Sequence, residues 1–168
     1  MYFDFLKDHV VNCHLGDEEA INWSASTHSF IRSSLPSQAE IAQQEARLQE
    51  VGYEFPELLK AFWTEIGCGY LCTTESSDHA LQEPNTALDL YFHEGDWSHI
   101  KLTCDILDKN ELPFFRINDF RYLTIGLEEG VNLGKIYCCG EEIASNLIEF
   151  VEKLLFNPTC YIECTSMT

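Results

Sequence analysis

No stretch of this chain approaches the ~18–20 consecutive apolar residues needed to span a bilayer. Basic residues are scarce: 10 Lys and Arg stand against 28 Asp and Glu, leaving a formal charge of −18 over 168 residues. Phosphate backbones and anionic membranes are bound through clustered Lys and Arg, so neither nucleic acid nor a membrane surface is an expected partner. The first residues, MYFDFLKDHVVNCHLGDEE, have no basic region, and Asp4 and Asp8 interrupt their apolar stretch. That is not the pattern of a secretory signal, so a soluble, cytoplasmic protein is expected. Glycine (9) and proline (5) are too few for a collagenous or low-complexity chain. No period of about 20–50 residues repeats itself.

What is present reads as globular. Hydrophobic residues make up 45% and charged residues 23%. At about 150 residues per domain, the whole span 1–168 is expected to be one domain. The acidity is spread evenly: residues 1–40, 41–80, 81–120 and 121–168 carry −4, −5, −5 and −4. It therefore belongs to the folded surface and not to a tail. Such a surface would attract a basic protein partner from a distance.

There are 8 cysteines: Cys13, Cys68, Cys72, Cys104, Cys138, Cys139, Cys160 and Cys164. Cys68-x3-Cys72 and Cys160-x3-Cys164 come closest to metal spacing, but each lacks the second Cys or His pair that makes a zinc site. Reduced, mostly buried thiols and no bound metal are the expectation.

Ser37 and Glu40 stand in capping-box spacing at the head of a helix carrying Ile41, Glu45 and Leu48, with Gly52 placed to end it. Pro56 fits a first helical position, and Leu58, Leu59, Phe62, Trp63 and Ile66 then form a broad apolar face that Gly67 stops. Two helices joined by the extended link VGYEF are predicted. After a polar loop over residues 73–86, ALDLYFH and HIKLTCDIL alternate with strand period; RYLTIGL and GKIYCCG follow as strands around the turn EEGVNLG. EEIASNLIEFVEKLLF carries Ile143, Leu147, Ile148, Val151, Leu154 and Leu155 on one helical stripe, which Asn157-Pro158 terminates. A helix at FDFLKDHVVNCHL would bury Phe5, Leu6, Val10 and Leu15. The tail TCYIECTSMT would add a short strand or lie against the sheet. Helices, then strands, then a helix predict an α+β fold, with a central, mostly antiparallel sheet and the N-terminal and C-terminal helices packed on it.

Catalytic patterns are weak. His93, Glu94, Asp96 and His99 crowd one stretch, but H-E-x4-H does not set two imidazoles on one helical turn, and Gly95 favours a hairpin turn with solvated polar residues. Cys13 and His14 are sequence neighbours, whereas a nucleophile and its base converge from distant segments. Gly67-x-Gly69 follows a helix, where a nucleotide cradle would follow a strand. Neither an enzyme nor a cofactor is expected.

Taken together, IAQQEARLQEVGYEFPELLKAFWTEIGCGYL resembles the signature of the SUKH superfamily, shared by fungal cell-wall-assembly regulators and many bacterial immunity proteins. Ile41, Glu45, Leu48, Phe55, Pro56, Leu59, Phe62, Gly67 and Gly69 carry the pattern, although Gly67-Cys68-Gly69 replaces the usual Asn-Gly-Gly. FRYLTIGLEEG is similar to the family's strand before an acidic turn, and IASNLIEFVEKLL to its closing helix. The family-like core spans about residues 37–156. The resemblance implies a non-catalytic immunity protein that neutralises a cognate toxin domain, often a nuclease of polymorphic toxin systems, acting in the cytosol. The acidic charge points independently to a basic partner. Asp89, Glu94, Asp96, Asp105 and Asp108, in and around the two middle strands, are the candidate partner contacts, with Asp89 and Asp105 expected to face solvent. The alternative is an intracellular regulatory adaptor binding several endogenous proteins, which would favour long disordered flanks, of which almost none are expected in this sequence.

Overall fold

In a computed structural model of the chain, residues 1–12, 30–72, 79–95, 109–119 and 121–161 are described. The elements run α1 (Asp4–Lys7), β1 (Val10–Asn12), β2 (Phe30–Ser34), α2 (Gln38–Gln49), α3 (Glu57–Glu65), β3 (Cys68–Leu71), β4 (Ala80–Leu81), α4 (Pro84–Phe92), β5 (Glu111–Asn118), β6 (Arg121–Gly126), β7 (Ile136–Cys138), β8 (Glu141–Ala144) and α5 (Leu147–Phe156). All eight described strands join one sheet in chain order, β1 to β8. β1 pairs parallel with β2, and every later pair is antiparallel. The fold is α+β, with a mostly antiparallel sheet. β1 and β2, which precede the family-like core, belong to that same sheet.

α2 begins with the expected capping box: Glu40 N–H donates to Ser37 Oγ at 3.2 Å, and Ser37 N–H donates to Glu40 Oε2 at 2.7 Å. Each side chain satisfies a backbone donor the helix leaves over. Gly52 (φ +91°) turns the chain out of it. The extended link then sets Pro56 just before α3, as its N-cap and not as its first residue. Glu45 fastens the two helices together: its Oε1 accepts from Phe55 N–H at 3.1 Å and pairs with Lys60 Nζ at 2.9 Å. α3 drives Leu59, Phe62 and Trp63 into the core, all fully buried. Phe62 meets Phe3 and Phe30 edge-on at 4.8 and 5.7 Å, and Trp63 Nε1–H donates to the Gln82 carbonyl at 2.9 Å. Burying each such side chain contributes about 1.5–3 kcal/mol.

After α3 the chain runs so close to β2 that side chains do not fit. A Cβ on Gly67 would collide with the Ser34 carbonyl oxygen, and one on Gly69 with that of Ile31; both also have positive φ, +102° and +148°. Of the nine pattern residues, Ile41, Leu48, Phe55, Leu59 and Phe62 build the core, Pro56 and Glu45 shape the link between helices, and the two glycines admit β2.

Several sequence expectations are corrected. ALDLYFH is not a strand but part of α4, with Pro84 in its first turn and Pro84, Ala87, Leu88 and Leu90 buried. Short apolar runs satisfy either period, and Pro84 at a helix start decides for the helix. The polar loop placed over 73–86 therefore ends earlier, at β4 and the start of α4. EEIASN is not the first part of the closing helix: Glu141–Ala144 form strand β8, with Ile143 in it, and α5 starts only after Asn146, whose Oδ1 accepts from Glu149 N–H at 3.0 Å. At the N-terminus the expected helix is the single turn α1 followed by β1. Leu6 is buried, but Phe5 is 39% exposed. Leu15, the strand expected over 99–107 and the end of the tail lie outside the described residues. Strands and helices are thus interleaved: β1 and β2 lie between α1 and α2, β3 and β4 between α3 and α4, and β5 to β8 between α4 and α5. At the tail's start, Tyr161 is buried.

Candidate partner-binding surface

Of the five acids expected to meet a partner, Asp89 and Glu94 lie among the described residues; Asp96, Asp105 and Asp108 lie outside them. The structure brings Asp89 and Glu94 together, though not in a strand open to solvent. Asp89 is in α4 and Glu94 just beyond its end, where His93 takes a left-handed conformation (φ +55°) and closes the helix. His93 thus ends a helix, where a hairpin turn between two strands was expected. Arg47 of α2 reaches both carboxylates: Nη2–H donates to Asp89 Oδ1 at 3.1 Å and to Glu94 Oε2 at 2.8 Å. Its Nη1–H donates to Gln44 Oε1 at 2.7 Å, and its guanidinium lies 5.6 Å from the centre of the Phe92 ring. Asp89 is half-buried, and its charge is spent on holding α2 to α4.

Other carboxylates near α2 are differently placed. Glu83 accepts from Ser34 Oγ–H at 2.7 Å, Glu57 from Tyr2 O–H at 2.9 Å, and Glu65 from the N–H groups of Tyr2 and Phe3 at 3.3 and 3.0 Å. Glu40 serves only Ser37, whose hydrogen bonds hold its carboxyl below the usual range. Among the described residues none of these four has a cationic partner. Two hollows open beside them, on opposite flanks of α2. One, of about 280 Å³, lies between Leu35, Glu40, Gln43, Gln44, Glu83 and Asn85. The other, of about 310 Å³, has Ile41, Ala42 and Ala61 in its lining, with Tyr2, Glu57 and Thr64.

Buried polar groups elsewhere are structural. His79 is fully buried between β3 and the chain's last described turn. A carbonyl can only accept, so Nδ1–H donates to the Cys72 carbonyl at 2.7 Å, and Nε2 shares a hydrogen bond with the Tyr161 hydroxyl at 2.5 Å. Asn132 folds the β6–β7 turn: its Oδ1 accepts from Glu128 N–H at 2.9 Å, while its Nδ2–H donates to the Asn110 carbonyl at 3.3 Å. The sequence pattern places Asn132 in the turn EEGVNLG without its bonds, and carries no sign of His79. Cys68, Cys72 and Cys138 are buried, Cys139 is exposed, and burial pushes the Cys72 thiol up to about 12. Among the described residues no three His, Cys, Asp or Glu side chains converge as a metal site requires, and no helix is long and apolar enough to cross a membrane.

Compared with known proteins, the chain is similar to immunity protein YxxD of Bacillus subtilis (strain 168): 25% identical over 146 residues, covering 82% of this chain and 96% of that protein. No family model matches the chain, and no solved structure matches it.

Proposed function

We propose that this chain is an immunity protein, which binds a cognate toxin domain and neutralises it without catalysing any reaction. The observation that carries this reading is the likeness to an immunity protein along most of this chain and nearly the whole of that protein. The SUKH-like pattern over residues 37–156 supports it, because its residues here do what a shared fold needs: they fill the core, tie α2 to α3 and let β2 approach. The formal charge of −18 supports a basic partner, and a nuclease domain, built to hold phosphates, is the kind of toxin such a surface suits. The encounter takes place in the cytoplasm. Attraction at a distance raises the association rate, so that rate falls as salt rises.

The test is co-expression of this chain, from a separate promoter, with toxin domains of its own strain in a sensitive host. One toxin domain should be neutralised and co-purify in stoichiometric amount. Growth arrest by every toxin domain despite abundant folded chain would end the proposal. Recovery of several housekeeping proteins in place of one toxin would favour the adaptor reading.

A further inference from the structure

We propose that the outer face of α2, together with the hollows on its two flanks, is the surface that receives the toxin domain, and that the toxin inserts a basic side chain on one flank and an apolar side chain on the other. This rests on the immunity reading above and names the site where it is carried out.

Three observations lead here. First, α2 presents Ala39, Ala42 and Ala46 to solvent, three exposed alanines on one low ridge of a strongly acidic protein. A partner's backbone can come close to such a ridge without desolvating a charge. Second, the two hollows share this helix. Gln43 and Gln44 line one, while Ile41 and Ala42 line the other, so a body seated on the ridge reaches both. An exposed apolar side chain stands at each: Leu35, 54% exposed, at the first and Tyr2, 48% exposed, at the second. Third, charge separates this surface from the acids first expected to bind. Asp89 and Glu94 already share Arg47, whereas among the described residues Glu40 and Glu83 bond to Ser37 and Ser34 and to no cation. Among the described residues no ion pair offsets the potential they create, and it falls on the first hollow.

The chemistry of each flank follows. At the first, the carboxylates of Glu40 and Glu83 and the amide oxygens of Gln43 and Asn85 can accept, with Gln44 Oε1 already engaged by Arg47, which suits a guanidinium with its five donors better than a neutral group. Leu35 gives its flat face an apolar wall. At the second, Ile41, Ala42 and Ala61 suit a branched aliphatic or aromatic side chain, with Tyr2 and Glu57 at the margin for a polar tip. A second copy of this chain is a poor occupant, because it brings another −18 to the same field.

Two measurements test this. The isotope-labelled chain is titrated by NMR with N-acetyl-arginine methylamide and separately with N-acetyl-leucine methylamide. Side-chain-sized probes at a preformed hollow should bind at about millimolar strength. Saturable shifts are expected at the amides of Gln43, Gln44 and Asn85 for the first probe and of Ala42, Ala61 and Thr64 for the second. Shifts spread over the acidic surface, including Glu128, Glu129 and Glu141, or none at all, would overturn the assignment. In the toxin assay, Ala42→Arg raises the ridge and adds one positive charge, and Glu152→Gln on α5 adds the same charge elsewhere. Ala42→Arg should weaken toxin binding about a hundredfold, a typical loss at a central contact, and Glu152→Gln less than about threefold. Both variants should melt within about 4 °C of the parent, since exposed helix positions tolerate such changes. If the parent neutralises a toxin and Ala42→Arg does so equally well, the surface is wrong and the immunity reading stands. A parent that neutralises nothing overturns both. Loss of self-association in place of toxin binding would give the surface to a second copy.

Discussion

Arg47 is the residue whose removal tests the account of how α2 and α4 are joined. Arg47→Met keeps most of the apolar stem and deletes the guanidinium. The Asp89 pair, with side chains 30% and 31% exposed, contributes about 0.5–1 kcal/mol. The Glu94 pair involves a carboxylate 59% exposed, and solvent screening leaves it about 0.2–0.5 kcal/mol. The cation over Phe92 contributes about 0.5–1 kcal/mol. The loss is then about 1.2–2.5 kcal/mol, which for a chain of this size lowers Tm by about 2–10 °C. Urea unfolding followed by tryptophan fluorescence measures it. Repeating the titration in about 1 M salt should shrink the difference between parent and variant, because the ion-pair share is screened. A double-mutant cycle with Asp89→Asn should return a coupling of about 0.5–1 kcal/mol. A loss below about 0.3 kcal/mol, or zero coupling with Asp89, would refute the reasoning and return Asp89 to the acids free to meet a partner.

Three further outcomes are expected. Gly69→Ala puts a Cβ into the Ile31 carbonyl at φ +148° and should cost about 3 kcal/mol or more, or abolish folding, whereas Gly130→Ala meets nothing and should cost about 1 kcal/mol; chemical denaturation of both variants separates the two. Glu149 is held down to about 2, first by Lys153 and then by the hydroxyl and N–H of Ser145, against an ordinary value of 4.5. Its folded value is the lower one, so its contribution is complete above about pH 4.5 and lost as pH falls toward 2. With the side chain 38% exposed, the amount is about 1 kcal/mol, and Glu149→Gln should flatten the acid limb of the stability curve by that much. Among the described thiols, Cys139 should react with an aromatic disulfide reagent within minutes in the native protein, while Cys68, Cys72 and Cys138 wait for unfolding; equal rates would contradict their burial.

Local grammar was legible in the sequence wherever one residue type has one structural use. Ser37 with Glu40, Gly52 and Gly67 marked helix ends that the structure keeps. Period was the weaker guide. Leu88, Leu90 and Phe92 alternate, yet Pro84, Ala87, Leu88 and Tyr91 also repeat at helical spacing, and packing chose the second pattern. β8 was hidden because Glu141, Glu142 and Ala144 favour helices as single residues, and only pairing with β7 makes them a strand. The candidate surface could not be read at all. Arg47 lies 42 and 47 residues from its two acids, and the hollows are made by segments that sequence does not place side by side.

The chain-order sheet also bears on how the protein comes to exist. Because every described strand lies beside the described strand made just before it, the sheet can grow at a single edge as the polypeptide leaves the ribosome. No described strand must wait for a distant one to be synthesised, and short-range pairing of this kind favours rapid assembly. On the function proposed above, that is an advantage of timing: the described sheet can be assembled as soon as β8 has been made.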